Sequence, residues 1–325
     1  MITTFRDKTI IAFFALTITT LLVHLHIFNT PVVIVTNTES GAFSWVLKTY
    51  ISRLQPQVIS LLFIVVLFVQ AIRLNTILND SKMFAKTTFT TAFAYIFLSG
   101  LLINAFSFSA AFLANSFIIL LFATLLKLYN NSNAKALLFN VGFLASALVI
   151  CFYPSVIIVP LVFFGLAILR PFKIVEWFIL LMGIIAPFYL TFGIMYLCNF
   201  NFGNIVLPKI LFYIRFQQNN VWYFINFFSI IVLLIAALLT WYPNSNRLVI
   251  QIRKNWVVML ILLVLSATTI PMFTKANFLP EVICLVPLAA FLSNLFFYPK
   301  KTILLNILIF IIAIVIVYNN SLLWK

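Results

Sequence analysis

Apolar runs of about twenty residues, separated by short basic turns, fill almost the whole chain. A helix rises about 1.5 Å per residue, so runs of this length match the roughly 30 Å hydrocarbon core of a bilayer. Eleven spans can be drawn, near 9–28, 57–72, 87–106, 108–126, 136–153, 155–169, 177–198, 222–240, 255–273, 279–297 and 302–319. The fifth and sixth are split only by Tyr153-Pro154, which leaves counts of ten or twelve open. The alternation of apolar and polar residues that a membrane barrel requires is absent. The pattern therefore predicts an all-α, polytopic membrane helical bundle forming a single domain over 1–325.

Two hydrophilic interruptions exceed the others in length, 29–57 and 199–221. In the first, Phe43, Val46, Leu47, Tyr50, Ile51 and Leu54 recur at helical spacing, with Ser44, Lys48, Ser52 and Arg53 on the other side. With Trp45 and Tyr50 suited to headgroup depth, this predicts an interfacial helix over Asn37–Leu54. The second carries a weaker version of the pattern around Lys209 and Arg215. No internal repeat of the inverted-transporter kind is evident.

Charge gives the drawing an orientation. With the N-terminus inside, the cytoplasmic segments hold fourteen Lys and Arg, and the opposite side holds six: Lys48, Arg53, Lys209, Arg215, Lys275 and Lys325. This positive-inside bias predicts a cytoplasmic N-terminus and a C-terminus on the opposite, outer side. A chain 65% hydrophobic and 8% charged is no ordinary soluble globule. The net charge of +15 then reflects loop anchoring, and no nucleic-acid partner is expected. The expected partners are membrane lipids. Cys151, Cys198 and Cys284 show no CxxC spacing and read as structural thiols.

Acidic residues are scarce: five in all. Glu39 lies in the first outer loop, where a carboxylate could meet lipid-borne and aqueous substrates together. Its other reading is local, since Thr36-Asn37-Thr38-Glu39 fits an [ST]-x-x-E capping box. Glu281 opens the tenth span near Lys275, as a functional acid or as half of an ion pair. Glu176 sits beside Arg170 and Lys173, where anchoring and loop ordering account for it. His24 and His26, two apart on a helix, are expected to point in different directions, so no shared metal site is expected. HExxH, GxSxG and Walker motifs are missing, and no cofactor is implied. Asn104, Asn115, Asn140 and Asn294, with Pro160, Pro187 and Pro287, lie within spans and serve helix packing and kinking.

From the second to the seventh span, several pieces carry a resemblance. They are Phe68-Val-Gln70-Ala-Ile-Arg-Leu-Asn75, Lys135-Ala-Leu-Leu-Phe-Asn140-Val-Gly142 and Leu169-Arg170-Pro171-Phe-Lys-Ile-Val-Glu176-Trp177, the last continuing through Gly183 to Ala186-Pro187-Phe188. Together they resemble an uncharacterised family of multi-pass inner-membrane proteins of Bacteroidota. Val175 stands where those proteins more often carry Arg. The family implies location and architecture, with no established activity.

More distantly, the chain is similar to GT-C class lipid-linked membrane glycosyltransferases. These have a cytoplasmic N-terminus, a catalytic acid in the first outer loop and interfacial helices after it. The stretch Lys275-Ala-Asn-Phe-Leu-Pro280-Glu-Val-Ile-Cys-Leu-Val-Pro287-Leu-Ala resembles their segment near the lipid-phosphate site. The usual Asp-Glu pair is absent, and Glu39 stands alone in the loop. The resemblance implies a polyprenyl-phosphate sugar as substrate. It gives Glu39 the role of base, and makes Lys209, Arg215, Lys275 and Glu281 substrate-binding residues. Headgroup anchoring by snorkelling is the other reading of the three basic residues. Two function classes follow: a GT-C-like transferase (or inactive relative) of cell-envelope biogenesis, and a non-catalytic scaffold or transport-associated subunit.

Overall fold

The computed structural model describes residues 2–37, 40–131, 134–197, 221–245, 248–273, 279–298 and 302–323. Its helices, in chain order, are α1 (Ile2–Phe5), α2 (Ile10–Val23), α3 (Ala42–Thr49), α4 (Pro56–Asp80), α5 (Thr90–Leu101), α6 (Ala110–Leu126), α7 (Lys135–Cys151), α8 (Pro160–Leu169), α9 (Ile174–Leu197), α10 (Val221–Ser245), α11 (Ile250–Met272), α12 (Leu285–Phe297) and α13 (Thr302–Leu323). Local signals set several starts. Thr9 caps α2 by accepting from the Ala12 N–H at 3.1 Å, and Ser109 caps α6 through Phe112 N–H at 3.3 Å. Pro56 and Pro160 occupy first-turn positions of α4 and α8, where a missing N–H costs nothing.

Five described helical segments are long and apolar enough to cross a membrane: Pro56–Asp80, Ile174–Leu197, Phe224–Ser245, Ile250–Met272 and Pro280–Phe297. Three of the shorter apolar helices are short because their apolar runs do not stay α-helical to the end. Tighter 3-10 turns take over at Leu25–Phe28 after α2, Ile103–Phe106 after α5 and Tyr153–Ile158 before α8. The division at Tyr153-Pro154 is real: α7 stops at Cys151 and α8 begins at Pro160.

The core is built around α5 and α12, which pack on each other. Every residue of α5 is buried, and so is all of α12 except Phe297. Helices α2, α4 and α13 cover α5, while α10 covers α12. Further out, α6 leads to α7, and α7 carries α9. In α9 only Glu176, Leu180, Gly183 and Pro187 are buried, a single stripe at helical spacing. Gly142 of α7 and Gly183 of α9 make this close approach possible. A Cβ on either would overlap the other helix's main chain, at the Leu180 and Phe139 carbonyl oxygens respectively.

The bundle has two chemically distinct ends. At the basic end, Arg6 Nε donates to the Phe296 carbonyl (3.2 Å), Trp256 Nε1 to the Met83 carbonyl (3.3 Å), and Lys86 pairs with Asp7 (2.6 Å). There Arg170 also bonds the carbonyls of Leu128 and Asn131, and Lys254 lies over the Tyr129 ring. These are segments that the charge pattern places together on one side. The opposite, loop end carries the segment 29–57.

Candidate functional site

At the loop end the chain forms a small feature that helical periodicity does not announce. Ile34–Val35 (β1) pairs in parallel with Phe108–Ser109 (β2), Ile34 opposite Phe108 and Val35 opposite Ser109. The first long loop is thereby fixed to the α5–α6 connection. The 3-10 turn Ile103–Phe106 in that connection packs against another 3-10 turn, Pro280–Cys284, which carries Glu281. The loop beside Glu39 and the turn bearing Glu281 thus rest on one short connection.

After β1 the chain turns back on itself. Ser40 N–H and Oγ both donate to the Asn37 carbonyl, at 3.0 and 2.7 Å, and Ser40 and Ser44 hydroxyls share a short hydrogen bond. Gly41 then adopts φ +109°, and a Cβ there would sit 2.8 Å from the Cys151 and Ile150 carbonyl oxygens. The helix that follows is α3, shorter than expected. It runs over Ala42–Thr49 instead of Asn37–Leu54, with the 3-10 turn Ile51–Arg53 behind it. Thr36 is therefore not the N-cap of this helix, and Glu39 of the expected capping box lies outside the described residues. Gly41 occupies the cap position without a side-chain bond. The amphipathic pattern holds only in part, since Ser44, expected on the polar side, is buried, and Tyr50 and Leu54, expected on the apolar side, are exposed. Ser44 and Leu47 face inward and Phe43 meets Phe117 of α6 edge-on at 5.5 Å, while Trp45 and Tyr50 are each 60% exposed.

Of the residues singled out from sequence, Glu281 is described and half-buried. Its turn is held by Asn115 Nδ2, which donates to the Val282 carbonyl at 3.0 Å from the middle of α6. Glu39, Lys209, Arg215 and Lys275 lie outside the described residues. Beside the start of α4, a cleft of about 420 Å³ is lined by Phe28, Asn29, Gln55, Gln57 and Ser60, among others.

Buried polar residues that the sequence reading passed over tie the helices together. Tyr95 of α5 donates to Gln70 Oε1 at 2.7 Å, and Gln70 Nε2 donates to the Phe112 carbonyl and Ser116 Oγ of α6. Asn226 and Asn319 exchange reciprocal amide bonds of 3.1 and 2.9 Å between α10 and α13. Asn320 Oδ1 accepts from His26 N–H and Nδ1–H, at 3.1 and 2.9 Å. The signal was present in the sequence: each is a polar side chain in or at the end of an apolar run, where burial demands a partner. The two histidines also depart from expectation. Helix α2 ends at Val23, so His24 and His26 do not share a helix. Their ring centroids come to 6.1 Å, and both rings stand edge-on to Phe106.

Apolar helices long enough for a bilayer, a core sealed by buried polar bonds and an amphipathic helix at one end define a multi-helical membrane protein. The family follows directly: the chain belongs to the family of unknown function DUF6427, whose model matches residues 10–322. No curated protein and no solved structure matches the chain.

Proposed function

We propose that this chain is an eleven-span inner-membrane protein of cell-envelope biogenesis, acting as a GT-C-like glycosyltransferase at the outer face. One observation carries the reading. The α5–α6 connection joins the strand Ile34–Val35 of the first long loop to the turn that bears Glu281, which supports an outer-face site shared by that loop and that turn. In this reading α3 lies at the membrane surface, with Trp45 and Tyr50 among the headgroups.

The chemistry is a substitution at an anomeric carbon. The Glu39 carboxylate takes the proton of an acceptor hydroxyl, whose oxygen forms the new bond to the sugar. The bond from sugar to polyprenyl phosphate breaks, and the phosphate leaves with its electron pair. Lys209, Arg215 and Lys275 neutralise that phosphate, and Glu281 orients the sugar or acceptor.

Complementation of a deletion strain by Glu39→Gln tests this, beside Glu39→Asp and Glu281→Gln. The reading expects Glu39→Gln to lose activity by roughly a hundredfold or more. Membrane abundance should stay normal. Full complementation removes the only candidate base.

The exposure of α9 favours a second reading, a non-catalytic scaffold. This helix has four buried residues in 24 and packs extensively on α7 alone. A scaffold would present its free apolar side to a partner helix. Under that reading Glu39→Gln complements fully, while substitutions along the free side of α9 do not.

A further inference from the structure

Hydrogen-bond accounting around His24 and His26 leaves a surplus that neither functional reading uses. Both rings are buried, His24 at 0% and His26 at 3% exposure. His24 Nδ1 lies 3.2 Å from the Thr20 carbonyl, and His26 Nδ1 lies 2.9 Å from Asn320 Oδ1. Both partners are acceptors, and Asn320 is held in that sense because its Nδ2 donates to the Val23 and Ile316 carbonyls at 2.9 Å each. Each imidazole therefore carries its proton on Nδ1 and keeps a bare lone pair on Nε2.

Neither lone pair meets a proper donor. His26 Nε2 is buried without a hydrogen-bond partner. His24 Nε2 has Ser99 Oγ at 3.4 Å, but that hydroxyl's single proton goes to the Ile96 carbonyl at 2.7 Å. Histidines that bind metal commonly show this same arrangement: Nδ1–H anchored on an oxygen and Nε2 left as the ligand. Two imidazoles sharing one cation through nitrogen–metal bonds of about 2 Å have centroids roughly 6 Å apart when the angle is near linear. The observed separation, 6.1 Å, meets that requirement on distance, and the convergence of the two lone pairs is part of the proposal.

We propose that His24 and His26 form a two-imidazole site for a soft monovalent d10 cation, Cu(I) or its analogue Ag(I). The stoichiometry of ligands selects the charge and the metal. No group of three or more His, Cys, Asp and Glu occurs among the described residues, so a four-coordinate divalent ion lacks its ligands and its counter-charge. A monovalent ion satisfied by two nitrogen ligands needs fewer ligands and leaves a smaller uncompensated charge. Asn320 acts as a positioning residue, fixing the His26 ring from α13.

The test is anaerobic titration of the purified full chain in detergent with Cu(I) against a chromogenic chelator. X-ray absorption is then recorded on the one-to-one complex. The site predicts one tightly held equivalent and two nitrogen ligands at about 2 Å. His24→Ala and His26→Ala should each weaken binding at least a hundredfold, and Asn320→Leu by roughly tenfold to a hundredfold. The wild-type spectrum decides independently if a variant fails to fold. Failure to retain one equivalent, sulfur scattering from a cysteine, or full retention in the double histidine variant each overturns the proposal.

Discussion

Arg170 and Glu176 form a two-pronged ion pair, Nε to Oε2 and Nη2 to Oε1 at 2.8 Å each, with side chains only 9% and 11% exposed. The remaining guanidinium nitrogen, Nη1, donates to the carbonyls of Leu128 and Asn131 beyond the end of α6. One side chain thus clamps the end of α6, the end of α8 and the start of α9. The Arg-Pro-Phe and Glu-Trp motif that carries the family resemblance is, in this fold, a joint. Loop ordering, as read from sequence, is its role.

Removing either member should be costly. Arg170→Ala or Glu176→Ala leaves a buried charge without its partner, at about 3–5 kcal/mol. The double change Arg170→Met, Glu176→Leu should cost less than the two single changes summed. Thermal unfolding in detergent, arranged as a double-mutant cycle, measures the difference. Additive losses would show that the pair does not act as a unit.

The crossing of α7 and α9 tolerates no side chain at its centre. Gly142→Ala and Gly183→Ala should each destabilise by about 1–3 kcal/mol, since backbone carbonyls, which cannot rotate away, occupy the space. Gly193 of the same helix has open space around a built Cβ. Gly193→Ala should therefore be neutral or stabilising by up to about 1 kcal/mol. Melting temperatures of the three variants, measured side by side, check this ordering.

Gly41 has two reasons to stay glycine, its positive φ and the Cys151 carbonyl at 2.8 Å from a built Cβ. Gly41→Ala should cost about 1–3 kcal/mol. Changing Cys151 to Ala should not rescue it, because the obstacle is main chain. On the transferase reading the same variant also loses complementation, by displacing the loop that precedes α3. A variant as stable as wild type would show that the turn at Gly41 can relax.

Orientation is checked by reporter fusions. Fusions after Lys86, Lys173 and Lys254 should report the cytoplasm, and fusions after Gln218 and at the C-terminus the periplasm. A cytoplasmic C-terminus is incompatible with eleven crossings.

The apolar helices were legible in the sequence because a bilayer-length run of Leu, Ile, Phe and Val has one economical solution, a helix. Even the break at Tyr153-Pro154 could be read. The start of α3 could not, since Thr36 and Glu39 satisfy a capping pattern that the Gly41 turn overrides through contact with the end of α7. Pairings such as Asn226 with Asn319, 93 positions apart, left only half a signal: a polar residue awaiting a partner. The closeness of the two histidine rings was not legible because periodicity assumed a continuous helix, whereas α2 ends one residue before His24. Among the candidate site residues, Glu281 lies on the turn Pro280–Cys284, and Glu39, Lys209, Arg215 and Lys275 lie outside the described residues.

The burial of α5 and α12 has a consequence for how the protein is made. These two helices are neighbours in space, yet nearly two hundred residues of synthesis separate them, and few of their atoms are left for lipid. Until α12 leaves the ribosome, α5 with its Tyr95 and threonines waits in the membrane beside an empty place. Chains truncated before Leu285 should therefore be poor at persisting, however many of their spans have already inserted. Such a chain is completed from its centre, and the second half of that centre is made long after the first.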